Sequence, residues 1–253
     1  MARLLVALLS FLAFPLAPRS DARPLTVSAA VSLTDALEEI ATAYVRSGGT
    51  AVRFNFGGSN VLARQIASGA PVDLFISADE AQMALAESAG AIDTGTRIAL
   101  LGNRLAVVTR RGAPEVTDAR ALTASSIRKI AIGDPAAVPA GVYARRYLRA
   151  ATLWDALQSK LVPVGNVRAA LAAAASGSVD AAFVYETDAR MSADVALAFV
   201  VDGPDAPPIT YPAAVTKRAS DRAAALRFLQ FLGGPEASTI FARHGFTPLA
   251  GTH

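Results

Sequence analysis

Residues 25–77, LTVSAAVSLTDALEEIATAYVRSGGTAVRFNFGGSNVLARQIASGAPVDLFIS, decide the fold. Leu25 to Ala30 reads as a buried strand. Leu33, Ala36, Leu37, Ile40, Ala41 and Tyr44 then recur at helical spacing, which predicts a helix over about 32–46 ended by Gly48-Gly49. Val52, Phe54 and Phe56 alternate, so a second strand follows. Gly57-Gly58 makes a turn and Ser59 to Ser68 is helical. Val72 to Ser77 is a third strand, bounded by Pro71, and Asp79 to Gly90 is a third helix. Strand–helix–strand–helix order implies an α/β fold with a mostly parallel sheet.

Outward from there, the pattern changes at Leu100-Leu101-Gly102-Asn103, and Leu105 to Thr109 is a strand leaving the first unit. A second α/β unit follows, with strands at 129–132, 161–164 and 181–185 and helices at about 140–150 and 167–176. Val195 to Val201 is a further strand, residues 202–208 are linker-like, and Ile209 to Val215 is the return strand. Helices at roughly 220–232 and 235–244 close the chain, with Pro235 in the first turn of the last one. The expectation is two doubly wound lobes, 23–103 with 215–253 and then 104–214, joined by two crossings with a cleft between them. Ligands of such sheets sit beyond the carboxyl ends of the strands.

Composition narrows the function. The chain has 253 residues, 53% of them hydrophobic, which is enough for a substantial core. It has no cysteine, which removes disulfides, thiolate metal sites, a cysteine nucleophile and an N-terminal lipid anchor. Lys+Arg 24 against Asp+Glu 21 leaves +3 with no basic cluster, which argues against nucleic acid or a membrane surface as partner. Residues 1–22 read as a signal peptide: Arg3, an apolar run from Leu4 to Leu16, then Ser20-Asp21-Ala22 with small residues at the cleavage positions. The run is too short for a comfortable membrane span. The expected location is the periplasm, with cleavage near Ala22.

Five strand ends share one chemistry. They carry Val31-Ser32-Leu33-Thr34-Asp35, Gly57-Gly58-Ser59-Asn60, Gly133-Asp134-Pro135 with Val138-Pro139-Ala140-Gly141, Gly165-Asn166-Val167, and Tyr185. Four of them open helices, whose first turns present unpaired N–H groups and partial positive charge. None has Lys or Arg at its tip. Together they suit a small, fully ionised anion held by neutral dipoles. Taken singly, Ser32, Ser59 and Asn166 are good N-caps, Ser32 with Asp35 looks like a capping box, and Tyr185 suits a core edge.

At these residues the sequence resembles the periplasmic molybdate-binding proteins of ABC transporters. The matching runs include Ala29 to Leu37, Asn55 to Ser59, Leu62 to Ile66, Gly69 to Asp79, Leu100 to Asn103, Ile132 to Pro135, Val138 to Gly141, Trp154-Asp155, Asn166 to Leu171 and Val184-Tyr185. The resemblance implies a two-lobed type II periplasmic-binding-protein fold. It also implies a tetrahedral oxyanion, molybdate or tungstate, contacted through Ser32 and Ser59 in one lobe and Ala140, Val167 and Tyr185 in the other. The serines would donate through hydroxyl and backbone, Ala140 and Val167 through backbone N–H, and Tyr185 through its phenol. No cofactor and no metal bound directly by side chains is implied, since molybdenum would be held as the oxyanion. The implied partner is the membrane permease of an importer, and the expected state a monomer. Asn60-Val61 and Glu186 depart from the family pattern. Glu186 would repel a dianion if it faced the cleft, so it is expected to point away.

Rival functions are weighed on the same residues. Sulfate shares the charge and shape of molybdate and differs in size. Protonated phosphate needs an acceptor, for which Asp35 is the nearest residue and is better used on its helix. Ferric ion is disfavoured because the five tyrosines include no adjacent pair. An exported enzyme is disfavoured because His244 lies in the final helix and His253 is the last residue, neither near a strand-end serine. A regulator's effector domain would share the fold, but the leader and the absence of a DNA-binding helix pair argue against it.

Overall fold

The computed structural model describes residues 23–249; the expected leader, its cleavage position and His253 lie outside the described residues. The first lobe opens with β1 (Leu25–Ala30), α1 (Thr34–Arg46), β2 (Val52–Gly57), α2 (Ser59–Ala67), β3 (Leu74–Ile76), α3 (Glu80–Ser88) and β4 (Ile98–Asn103). The second contains β5 (Leu105–Arg110), β6 (Ile130–Gly133), α4 (Pro139–Ala150), α5 (Trp154–Leu157), β7 (Leu161–Val164), α6 (Val167–Ala175), β8 (Ala181–Tyr185), α7 (Glu186–Ala189) and β9 (Val195–Val200). The chain then returns through β10 (Ile209–Val215), α8 (Arg222–Leu232), α9 (Pro235–Arg243) and β11 (Thr247–Pro248).

Two sheets result, ordered β11-β4-β10-β3-β1-β2 and β7-β6-β8-β5-β9. Each has a parallel core, β2-β1-β3 in the first and β7-β6-β8 in the second. The strands that enter and leave, β4, β5, β9 and β10, pair antiparallel, as does β11. The expectation of mostly parallel sheets therefore holds only for the three-strand cores. The physical reason is the double crossing: a strand that exits a lobe and one that returns run in opposite directions through the same sheet.

The crossings are short on one side and longer on the other. Only Arg104 separates β4 from β5. The return is complete before Ile209, because β10 pairs with β4 and β3 from Ile209 to Val215. Residues 209–214 thus lie in the first sheet, although the expected boundary assigned them to the second lobe.

Helices cover both faces of the first sheet. α1 buries Ala36, Leu37, Ile40, Ala43 and Tyr44, an i, i+3, i+4 stripe. Tyr44 packs its ring on Phe228 and Phe231 of α8, with centroids 4.9 and 5.1 Å away. Burial of one such aromatic ring contributes about 1.5–3 kcal/mol. On the opposite face Phe75 and Ala214 meet Leu62, Ile66 and Met83 from α2 and α3, while their strand neighbours Leu74, Ile76, Ala213 and Val215 point into the other cluster. This two-sided burial keeps β3 apolar throughout, and the chain turns polar just beyond it at Ser77 and Asp79.

Candidate functional site

The carboxyl ends of the strands converge. Ser32, Ser59, Ala140, Val167 and Tyr185 all line one cavity of about 20 Å³ between the lobes. Ala30, Val31, Gly57, Gly58 and Ala78 complete its wall from the first lobe, and Val138, Pro139 and Asn166 from the second. No residue of this lining is ionisable at neutral pH. The volume is on the scale of a few atoms, far below the clefts that hold organic ligands.

Local sequence puts donors at the wall. Ser59 is the first residue of α2, Val167 the first of α6 and Ala140 the second of α4. Their N–H groups have no carbonyl in their own helices to bond. Pro139 starts α4 at a position where its missing N–H costs nothing. Gly141 lets that helix start close over β6, since a Cβ there would sit 1.8 Å from the Gly133 carbonyl oxygen. The close approach brings Ala140 to the cavity.

The hydroxyls are buried. Ser59 and Tyr185 are each 1% exposed and Ser32 is 5% exposed. Ser59 Oγ accepts the Ala78 N–H at 2.9 Å. Ser32 Oγ is hydrogen-bonded to the Tyr211 hydroxyl at 3.0 Å. The Tyr185 hydroxyl, fully buried, has no hydrogen-bond partner among the described residues. Burial pushes the Tyr185 phenol well above its ordinary pKa, so it stays protonated and able to donate.

Two cap readings are corrected here. The cap of α1 is Leu33, with no side-chain cap bond, so Ser32 and Asp35 form no capping box. The cap of α2 is Gly58, and Ser59 lies inside the helix. Both hydroxyls are thereby directed elsewhere. Asn166 is a cap: its Oδ1 accepts the Ala169 N–H at 2.9 Å, which leaves the Val167 N–H unclaimed.

Residues 25–247 match the family of bacterial extracellular solute-binding proteins. The chain belongs to that family. Molybdate-binding protein ModA of Escherichia coli (strain K12) is 40% identical over 233 residues, which cover 90% of each chain. The substrate binding domain of a putative molybdenum ABC transporter from Clostridium difficile superposes with a TM-score of 0.71 at 33% identity, covering 89% of this chain and 99% of the other. The sulfate-binding protein SubI from Mycobacterium tuberculosis H37Rv has a TM-score of 0.80 at 21% identity over 90% and 88% of the two chains, and shares the fold.

The charges of this solute-binding protein are kept off the cavity wall. Glu186 pairs with Arg104 at 2.7 Å and Arg190 at 3.4 Å, outside the lining, as expected. Asp35 sits in the first turn of α1, as expected for a carboxylate used on its helix, and also reaches the other lobe. It meets Arg168 of α6 at 2.8 Å across the lobes, and Arg168 also bonds Asp188 at 2.8 Å. Asp188 is fully buried, and its Oδ2 accepts the Tyr185 N–H at 3.2 Å. Burial pushes its carboxyl up to about 6 against the opposing pull of Arg168. The lobes also touch where Gln82 Nε2 donates to the Ala137 carbonyl at 3.3 Å. His244 pairs with Glu39 at 2.9 Å and is not in the lining. Among the described residues no group of three or more His, Cys, Asp or Glu side chains is placed to hold a metal ion.

The residues that sequence reasoning missed are partners rather than liners. Tyr211 bonds the wall residue Ser32, 179 positions away, and Arg168 bonds Asp188, which holds the Tyr185 N–H, and Asp35, 133 positions away on the other lobe. No local pattern encodes such pairings.

Proposed function

We propose that this protein captures molybdate, and tungstate as its closest equivalent, and delivers it to the permease of an ABC importer. The observation that carries the reading is the small uncharged cavity at which five donor-bearing residues meet. Ser32 and Ser59 would donate through hydroxyl and backbone N–H, Ala140 and Val167 through backbone N–H, and Tyr185 through its otherwise unpartnered phenol. Buried donors aimed at an anion gain strength from the low dielectric around them, and the helix N-termini add partial positive charge. The sequence likeness to proteins named for molybdate supports the choice of ion.

The reading includes export by the leader at 1–22, action as a monomer in the periplasm, and no catalysis. It also includes closure of the two lobes on the ion, since each lobe carries only part of the donor shell. Competition calorimetry at neutral pH with molybdate, sulfate and phosphate tests it. Tight molybdate with weaker sulfate and no measurable phosphate is the expected result. Equal affinity for sulfate would leave only a general oxyanion receptor, and a preference for phosphate would overturn the reading.

A further inference from the structure

A serine hydroxyl can donate or accept, so a site built on serines is not donor-only unless something settles which way each proton points. For Ser59 a backbone group settles it. The Ala78 N–H can only donate, so it takes one lone pair of the Ser59 oxygen and cannot receive the Ser59 proton. The Ser59 proton is left for the cavity.

Ser32 faces another hydroxyl, and the pair alone is ambiguous. The next partners remove the ambiguity. The Arg104 N–H donates to Asn103 Oδ1 at 2.8 Å, which fixes the amide so that Nδ2 points the other way. Asn103 Nδ2 donates to the Tyr211 hydroxyl at 3.3 Å and to Thr187 Oγ1 at 3.0 Å. With its oxygen receiving that bond, Tyr211 keeps its own proton bonded only by giving it to Ser32 Oγ. The reverse direction would strand a buried phenolic proton, because Tyr211 is 0% exposed. The ring cannot swing aside to find another acceptor: Tyr185 and Phe246 pack edge-on against it, each at 5.7 Å.

We propose that Asn103 and Tyr211 are positioning residues for selectivity: the chain Asn103 to Tyr211 to Ser32 turns the Ser32 proton away from Tyr211 and toward the cavity, and takes up one of the two lone pairs of its oxygen, so that Ser32 meets an anion as a donor. The inference rests on the reading of the cavity as an oxyanion site. It deepens that reading by naming the residues that set the site against oxyanions that still carry a proton, such as hydrogen phosphate. An ion of that class would bring an O–H to a wall whose serine protons already point at it, with one lone pair of each serine oxygen taken, which sets donor against donor. The chain is also tied to the crossing between lobes, because Asn103 ends β4 and Thr187 belongs to the second lobe.

The test is a double-mutant cycle on the full chain, with sodium molybdate as the probe and hydrogen phosphate as competitor. Tyr211→Phe is expected to weaken molybdate binding about tenfold, the scale of one mispointed hydrogen bond to a charged group. In a Ser32→Ala background the same change should shift affinity by less than about twofold, since the relay has no end to act on. The ratio of molybdate to hydrogen phosphate affinity should also narrow in Tyr211→Phe. If Tyr211→Phe does not fold, Asn103→Ala goes through the same cycle, with a smaller but equally non-additive loss. Additive losses, or an unchanged ratio, would overturn the relay. A wild-type protein that binds no oxyanion would instead overturn the functional reading, so the two failures are distinct.

Discussion

Asp35→Asn should weaken ligand binding while leaving the unliganded fold intact, and Arg168→Met should do the opposite in emphasis. Arg168 bonds two carboxylates of unlike surroundings. The Asp35 side chain is 39% exposed and that of Arg168 25%, whereas Asp188 is 0% exposed. A pair as exposed as the first contributes about 0.2–1 kcal/mol. It joins α1 to α6 across the cleft, so it adds stability only when the lobes are together. All of it therefore appears in ligand affinity, as a loss of up to about fivefold on Asp35→Asn. The loss should fade as salt rises, because screening acts on the exposed partner. Removing Arg168 strands a buried carboxylate beside Tyr185, at a cost of about 3–5 kcal/mol of fold stability. Calorimetric affinities at low and high salt, with melting temperatures of the ligand-free proteins, separate the two. If Asp35→Asn lowers the ligand-free melting temperature as much as Arg168→Met does, the bridge belongs to the fold and not to closure. If Asp35→Asn leaves affinity unchanged at every salt concentration, the bridge is equally made in open and closed forms and the reasoning is wrong.

Other outcomes can be checked alongside. Ser59→Ala removes one donor to the ion, worth about 1.5–3 kcal/mol or roughly ten- to a hundredfold in affinity; wild-type affinity by calorimetry would exclude Ser59 from the shell. The same variant leaves the Ala78 N–H buried without its acceptor, so melting should drop through that lost bond and not through a lost cap. Gly58→Ala would place a Cβ 3.1 Å from the Gly165 carbonyl of the opposite lobe and 2.8 Å from Asn60 Oδ1. Small-angle scattering should then show less compaction with molybdate than in wild type, and full compaction would count against the close approach as a limit on closure. Asp188 has its folded pKa raised from 3.8 to about 6, so the native state binds more protons between those values and this group's contribution to stability falls as pH rises from about 4 to 6. Carboxyl-carbon NMR should find it titrating near the upper value, and the stability difference between wild type and Asp188→Asn should change across that window; titration near 4 would refute the assignment.

The junctions were legible because a strand end followed by glycine and a helix start is written in consecutive residues. Gly57-Gly58-Ser59 and Gly165-Asn166-Val167 need no knowledge of the rest of the chain. Their convergence follows from the parallel cores, which align all such ends on one side. β4 was missed as a strand because Ile98 to Asn103 does not alternate and no turn separates it from β5, only Arg104. The cap readings of Ser32 and Ser59 failed for a common reason. A hydroxyl near a helix start caps it unless a better partner arrives from elsewhere, and here Tyr211 and the Ala78 N–H arrive from distant strands and turns. Asp35 does lie in the first turn of its helix, as read, but its ion-pair partner is on the other lobe. Apart from β4, these differences concern contacts between segments separated in sequence, where periodicity and capping rules are silent.

The placement of Arg168 bears on why a site for a dianion would keep no cation in its wall. Arg168 follows the cavity residue Val167 directly at the start of α6, yet its Nε bonds Asp188 and its Nη2 bonds Asp35, and it is not in the lining. A free guanidinium there would attract any anion and reward charge before shape. Neutral donors reward only an ion whose oxygens meet several of them at once, so discrimination rises with the number satisfied together. The same arrangement would govern release. Ser32 and Ser59 sit in one lobe, Ala140, Val167 and Tyr185 in the other, and separation of the lobes would divide the donors between them. With no fixed charge left behind to hold the ion, opening alone would lower affinity on both halves, which is what handing a tightly held ion to a transporter requires.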